Sequence, residues 1–196
     1  EEKKAQYLAR GFTEVESNQK PTKLAAMRSL ISRLSGRSDH EVPTTKGVCI
    51  PNGFIADNGE YHKVVVGFSY KNDDFQFDVN TYNTFIANGD SLFKRSTAVN
   101  DEIKNFHMKI FKKEALEING IPIEALFSNG IQAYDKKNLH VYDFFLIGNE
   151  KIASKIKPII KLEIDSQYKQ TRYSEAQMVE IWDRIVGSLR YKPNAF

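Results

Sequence analysis

The sequence predicts an α+β fold of two small units, each an antiparallel sheet backed by helices. Three observations lead there. Apolar residues recur at three- and four-residue intervals over 24–34, 98–112 and 174–190. Between these stretches the period changes to two, which signals half-buried strands of antiparallel sheets. Turn sequences rich in Asn, Asp and Gly separate the alternating runs. The order helix–strands–helix, then strands–helix, divides the chain into a first unit at 1–112 and a second at 113–196.

Taken in order, a short helix is expected over Lys3–Leu8, stopped by Gly11. Leu24, Met27, Leu30, Ile31 and Leu34 then define one face of a longer helix. Pro21 stands near its first turn, where a missing N–H costs little, and Gly36 ends it. From Gly47 onward Val64, Val66, Phe68 and Tyr70 alternate with their neighbours, as do Phe75, Phe77 and Val79. With Asp57-Asn58-Gly59 and Asn72-Asp73-Asp74 as turns, residues 45–80 read as a three-stranded meander. Val99, Ile103, Phe106 and Ile110 restore helical spacing over 98–112. Asn119-Gly120, flanked by Ala115–Ile118 and Ile121–Ile123, is a type I′ hairpin signal. Pro122 assigns its strand to an edge. Leu139–Ile147 and Ile159–Ile164 are further strands. The last helix begins with a capping box, Ser174 and Gln177, inside a hydrophobic staple of Tyr173 and Met178. Met178, Ile181, Trp182, Ile185 and Leu189 form its apolar face, and Pro193 marks its stop.

The 12% aromatic content, with 13 Phe and nine Tyr, predicts a packed core rather than a disordered chain. No apolar run approaches the roughly 18–20 residues that span a bilayer. The net charge of +3 arises entirely within residues 1–46, where it fits a solvated helix face. No concentrated basic stripe of the kind nucleic-acid binders carry is visible, so nucleic acid is not expected as a partner. The single cysteine, Cys49, excludes an intrachain disulfide and sits between Val48 and Ile50 as an expected buried, inert thiol. The chain begins Glu1-Glu2-Lys3-Lys4, which fits a mature or truncated product from which a signal or lipid-anchor segment has been removed.

A search for chemistry finds no catalytic constellation. Gly67-Phe68-Ser69-Tyr70-Lys71 lacks the second Gly of a nucleophile elbow and lies inside an alternating strand. His40, His62, His107 and His140 share no three- or four-residue spacing, and no Cys pair or acidic calcium loop occurs. No metal or cofactor is therefore expected. Asp73-Asp74 belongs to a turn and Asp101-Glu102 to a helix start. The pattern favours a binding module over an enzyme. A small lipid or ester hydrolase with an unrecognised site stays as the alternative.

Three blocks resemble a known family. Arg28–Leu34 followed by Val42-Pro43, Gly47–Ile50 and Gly53-Phe54-Ile55 is similar to the helix, loop and hairpin of the immunity proteins that protect bacteria from type VI secretion phospholipase effectors. Asn119–Glu124 looks like a second hairpin of that family. Ser174-Glu175-Ala176 and Trp182–Arg190 resemble its closing helix. Val48 stands where the family usually has Phe, and Lys192 where Arg is common. The resemblance implies an inhibitor without enzymatic activity. It would act in the periplasm, often from a lipid anchor, by binding a lipase or phospholipase effector.

The partner-binding surface is expected in two stretches outside the clear apolar periodicities. One is the hairpin tip with Asp57, Glu60 and Tyr61. The other holds Tyr82, Asn83 and Phe85, where aromatic and amide side chains interleave. Interface energy concentrates in aromatic anchors with a polar rim.

Overall fold

The helical spacing from Leu24 onward forms α1, Lys20–Ser32, with Pro21 in its first turn. The computed structural model describes residues 17–60 and 64–192. It divides into two units, Glu1–Tyr61 with Tyr191–Phe196, and His62–Arg190. The expected helix at Lys3–Leu8 lies outside the described residues.

In the first unit, α1 buries none of its residues; Leu24 and Ile31 of its apolar face are 55% and 54% exposed. It leads into a three-stranded antiparallel sheet of β1 (Leu34–Gly36), β2 (Gly47–Ile50) and β3 (Gly53–Ala56), with β3 in the centre. Gly47 has φ of 149°, and a Cβ there would collide with the Ile55 carbonyl and the buried Phe54 ring. The close approach therefore requires glycine. Arg37 ties the loop to the sheet. Its guanidinium donates to the carbonyls of Glu41 (2.5 Å), Ser38 (2.8 Å), Gly53 and Ile50 (both 3.1 Å). Lys192 closes the unit, donating to the Thr45 carbonyl at 2.6 Å with its ammonium over the Phe54 ring.

The second unit is built on six antiparallel strands: β4 (Val65–Lys71), β5 (Gln76–Tyr82), β6 (Met108–Ile118), β7 (Ile121–Tyr134), β8 (Lys137–Gly148) and β9 (Ile159–Asp165). Their order across the sheet is β4-β5-β9-β8-β7-β6. Helix α2 spans Ser96–Asn105 and α3 spans Glu175–Gly187. The capping box at the start of α3 is formed, with the Ser174 side chain accepting from the Gln177 amide and the Gln177 side chain accepting from the Ser174 amide. Met178, Trp182 and Val186 are its buried face. Trp182 packs edge-on against Phe127 (5.5 Å) and Phe144 (5.9 Å), whose own rings are 5.1 Å apart. Such aromatic contacts add to the large area an indole buries.

The opposite face of this sheet is only partly apolar. Leu126, Ile147 and Ile159 join Leu92 and Ala153 in one cluster, which also packs Phe85, Phe93, Val99 and Phe145. Met108, Leu139 and Val141 form a second cluster with Ile103 of α2. Two carboxylates hold the segment after β5 in place. Glu150 accepts from the Leu92 amide at 2.6 Å and Glu124 from the Phe93 amide at 2.9 Å.

The two antiparallel sheets bear out the expected α+β class, while four details differ. The meander expected over 45–80 is split. Its first strands pair with β1, and the β4–β5 hairpin pairs with β9 through Gln76↔Asp165 to Tyr82↔Ile159. The compact units are Glu1–Tyr61 with Tyr191–Phe196 and His62–Arg190, a division different from the expected boundary at 112. The helix expected over 98–112 stops at Asn105; His107 adopts φ of 58°, and Met108 and Ile110 start β6. Asp101-Glu102 accordingly sits mid-helix. Pro122 lies in an interior strand, not an edge. It stands opposite Glu117, and β8 ends opposite Ile123, so its nitrogen meets no neighbouring strand. Its carbonyl still accepts from the Asn149 amide at 2.9 Å. Cys49 is half-buried rather than buried.

Candidate functional site

The polar part of the second unit's sheet is where a binding surface can be built. Antiparallel register places residues in rows across the sheet. One row runs Lys71, Gln76, Asp165, Asp143, Ser128. The next runs Ser69, Asp78, Glu163, Phe145, Leu126. Asp143 thus stands directly opposite Asp165, and Asp78 directly opposite Glu163. Like charges in such cross-strand positions repel. Asp78, Asp143, Glu163 and Asp165 are all half-buried. Among the described residues none of the four carboxylates has a cation within ion-pairing distance. Asp78 accepts from the Gln76 side chain at 2.7 Å and Asp165 from the Gln167 amide at 2.7 Å. The Oδ1 of Asp143 is shielded from solvent and has no hydrogen-bond partner.

The electrostatics follow from this geometry. Burial pushes the Asp143 carboxyl up to about 7, and Glu163 and Asp165 push it further the same way. Glu163 is also raised, by burial and then by Asp165 and Asp78, with the Lys161 charge opposing them. Asp165 is raised by burial, which outweighs the Gln167 amide that lowers it, while the Asp78 charge raises it and the Lys169 charge lowers it. Several acids elsewhere in the unit are instead paired with cations. Burial works against the charge of Glu124, yet the Lys151 ammonium and the Phe93 amide hold it below its ordinary range. Glu150 and Asp90 each meet Arg95 at 2.5 Å, and Asp74 meets Arg172 at 3.3 Å.

Beside these rows lies a hollow of about 370 Å³ lined by Tyr82, Phe85, Asp90, Arg95, Glu150 and Lys161, among others. Lys161 shares a strand face with Glu163 but turns its ammonium over the Tyr82 ring, 5.4 Å from the centroid. The rim is charged and the floor aromatic.

The structure brings Tyr82, Asn83 and Phe85 together in this unit. Tyr82 and Phe85 pack against the Leu92–Leu126–Ile147 cluster while lining the hollow. Asn83 serves the backbone: its side-chain oxygen accepts from the Val64 amide at 2.7 Å. Asp57 and Glu60 belong to the other unit and are exposed in a turn, where Asp57 accepts from the Gly59 amide at 3.0 Å. Tyr61 lies outside the described residues. Ser69 is exposed on β4 and hydrogen-bonds to no histidine among the described residues. In the same set, no group of three or more His, Cys, Asp or Glu side chains is arranged to hold a metal ion. The carboxylate rows were not anticipated from the sequence. The signal was present in part, since Gln76, Asp78 and Asn80, and likewise Glu163 and Asp165, are the polar halves of alternating strands.

A family model described as the Tle cognate immunity protein 4 C-terminal domain, Tli4_C, matches residues 41–194. The chain belongs to this immunity-protein family. Among solved structures, the apo immunity protein TplEi of the type VI secretion system (T6SS) from Pseudomonas aeruginosa superposes with a TM-score of 0.68 at 20% identity, covering 92% of this chain and 61% of that one. A chain of the Tle4–Tli4 complex gives 0.67 at 20% identity, with 92% and 62% covered. TplEi complexed with "L" peptide gives 0.65 at 20% identity, with 91% and 65% covered. At this identity the likeness establishes a shared fold. The chain spans less than two thirds of the length of these relatives. No curated protein matches at a significant level.

Within Tli4_C terms, the residues behind the sequence resemblance are mostly scaffold. Gly47 and Phe54 make the hairpin contact, and Trp182 fills the core beneath α3. No helix among the described residues is long and apolar enough to cross a membrane.

Proposed function

We propose that this chain binds and neutralises a cognate type VI secretion lipase or phospholipase effector, protecting the cell that makes it, and that it does so without catalysis of its own. The observation that carries the reading is the Tli4_C match over residues 41–194. Its fold likeness to a protein solved as a Tle4–Tli4 complex supports the same partner class. An inhibitor works by surface, and a standard interface buries about 800 Å² per partner. The periplasm is the compartment this reading requires, because an effector delivered from outside meets its phospholipid there.

The test is a pull-down with a type VI secretion lipase effector of the producing strain, followed by a phospholipase assay with increasing amounts of the chain. Stoichiometric loss of lipase activity supports the reading. A lipase that neither binds nor slows in a molar excess of the chain refutes it. Fractionation of the full-length product exclusively with cytosol refutes the compartment.

A further inference from the structure

Among the charged clusters of the second unit, one is left electrostatically unresolved. Asp74, Asp90, Asp101, Glu114, Glu124, Glu150 and Glu180 each have a Lys or Arg within 4 Å. Asp78, Asp143, Glu163 and Asp165 occupy adjacent rows of the sheet with none among the described residues. Lys161 and Lys169 act on Glu163 and Asp165 only from beyond ion-pairing distance, because each is held by another group. Lys161 lies over Tyr82, and the Lys169 ammonium donates to the Asn72 carbonyl. Lys71, at the outer end of the first row, forms no ion pair with a described residue. The cluster alone is only a concentration of negative charge. The buried Oδ1 of Asp143 is a separate matter, because a solvent-shielded carboxylate oxygen without a donor is a costly arrangement in a folded chain. Its strand register directs it into the same cluster, opposite Asp165. The free protein thus holds an acceptor with no donor, ringed by acids that have no cation within ion-pairing distance among the described residues and are only partly offset by the more distant Lys161 and Lys169.

Resting on the immunity reading, we propose that the rows formed by Asp78, Asp143, Glu163 and Asp165 receive a Lys or Arg side chain of the effector, with the Tyr82–Phe85 hollow beside it taking an apolar neighbour. A guanidinium matches this arrangement best, since its planar set of donors can reach carboxylates on adjacent strands at once. The repulsion stored between the cross-strand acids in the free protein becomes attraction once the cation is seated. This couples binding to a local gain in stability. Desolvating such a pair also makes it a determinant of partner choice, because an effector lacking the cation would leave the carboxylates buried and unpaired.

The test uses the 196-residue chain and an isosteric triple variant, Asp78→Asn, Glu163→Gln and Asp165→Asn, with two probes. With that lipase effector as probe, the variant should bind at least about 30-fold more weakly than wild type at low salt. Wild-type affinity should fall as sodium chloride rises, and the variant's should change little. With hexa-arginine peptide as probe, backbone NMR shifts should centre on residues 78, 143, 163 and 165 in wild type and vanish in the variant. Thermal melts separate structure from recognition, since removing like charges should leave the melting temperature equal or higher. If the triple variant loses a cooperative melt, Glu163→Gln alone carries the same comparison. Full lipase affinity in the variant overturns the inference while leaving the immunity reading standing. Failure of wild type to bind the lipase overturns both. Peptide shifts centred elsewhere, or a response to Ca²⁺ in place of the peptide, overturn the assignment of a side-chain cation.

Discussion

Replacing Asp143 with asparagine should stabilise the second unit at alkaline pH. Burial raises the Asp143 carboxyl from 3.8 to about 7 in the folded chain, with Glu163 and Asp165 acting in the same direction. The folded state therefore binds this proton more tightly than the unfolded state does. Stability from this group is fully present below about pH 4 and is lost as pH rises through about 7. At 1.36 kcal/mol for each pKa unit, the difference amounts to roughly 4 kcal/mol at pH 8.5. The Asp143→Asn side chain keeps the shape and cannot ionise, so the variant should escape this loss and converge with wild type in acid. For a unit of this size such a gain raises the melting temperature by about 10 °C. Trp182 is the sole tryptophan and is buried in this unit, so urea titrations followed by its fluorescence at pH 4, 6 and 8.5 report on the right transition. A variant less stable than wild type at pH 8.5 would falsify the reasoning, as would a difference that does not change with pH.

Trp182→Ala should cost about 3–5 kcal/mol of stability in urea unfolding followed by circular dichroism, because it opens a cavity between Phe127 and Phe144; a wild-type melt combined with lost effector binding would reassign the residue to the interface. Tyr82→Ala and Phe85→Ala should weaken effector binding by about 2 kcal/mol or more at one or both positions, and calorimetry showing full affinity in both removes the hollow from the interface. Gly47→Ala should destabilise the first unit by more than about 1 kcal/mol, since it adds a Cβ where Phe54 and Ile55 already sit and φ is positive; unchanged hydrogen exchange across β2 and β3 would contradict this. Ser69→Ala should leave any phospholipid turnover by the purified chain unaltered, and a loss of turnover would revive the hydrolase alternative.

Much of the second unit was legible because its signals are local. Ser174 and Gln177 make a capping box from residues three apart, and Asn119-Gly120 takes φ of 50° and 79° in a two-residue hairpin. Neither needs information from elsewhere in the chain. Strand β7 was legible only at its start. From Ile123 to Ser128 it is buried on both faces, so alternation is lost and period alone cannot reveal a strand. The stretch 106–110 failed differently, since Phe106 and Ile110 satisfy a helical interval while Met108 and Ile110 satisfy a strand interval. The left-handed turn at His107 settles the matter in favour of the strand.

The sequence by itself determined the α+β class, most strand and helix positions and the family, because periodicity, caps and turns are properties of neighbouring residues. It determined which side chains of β5 and β9 are polar. Only the tertiary structure decided that those side chains are neighbours. Asp78, Asp143, Glu163 and Asp165 come from three strands, two of them far from β5 along the chain. The pairing of β5 with β9 sets their register. Alternation states which face a residue occupies; it carries no label for the strand that will lie beside it. Tyr82 and Phe85 show the same division, legible as aromatics next to a strand end but given a floor and a charged rim only when β9 and the Glu150 turn close around them.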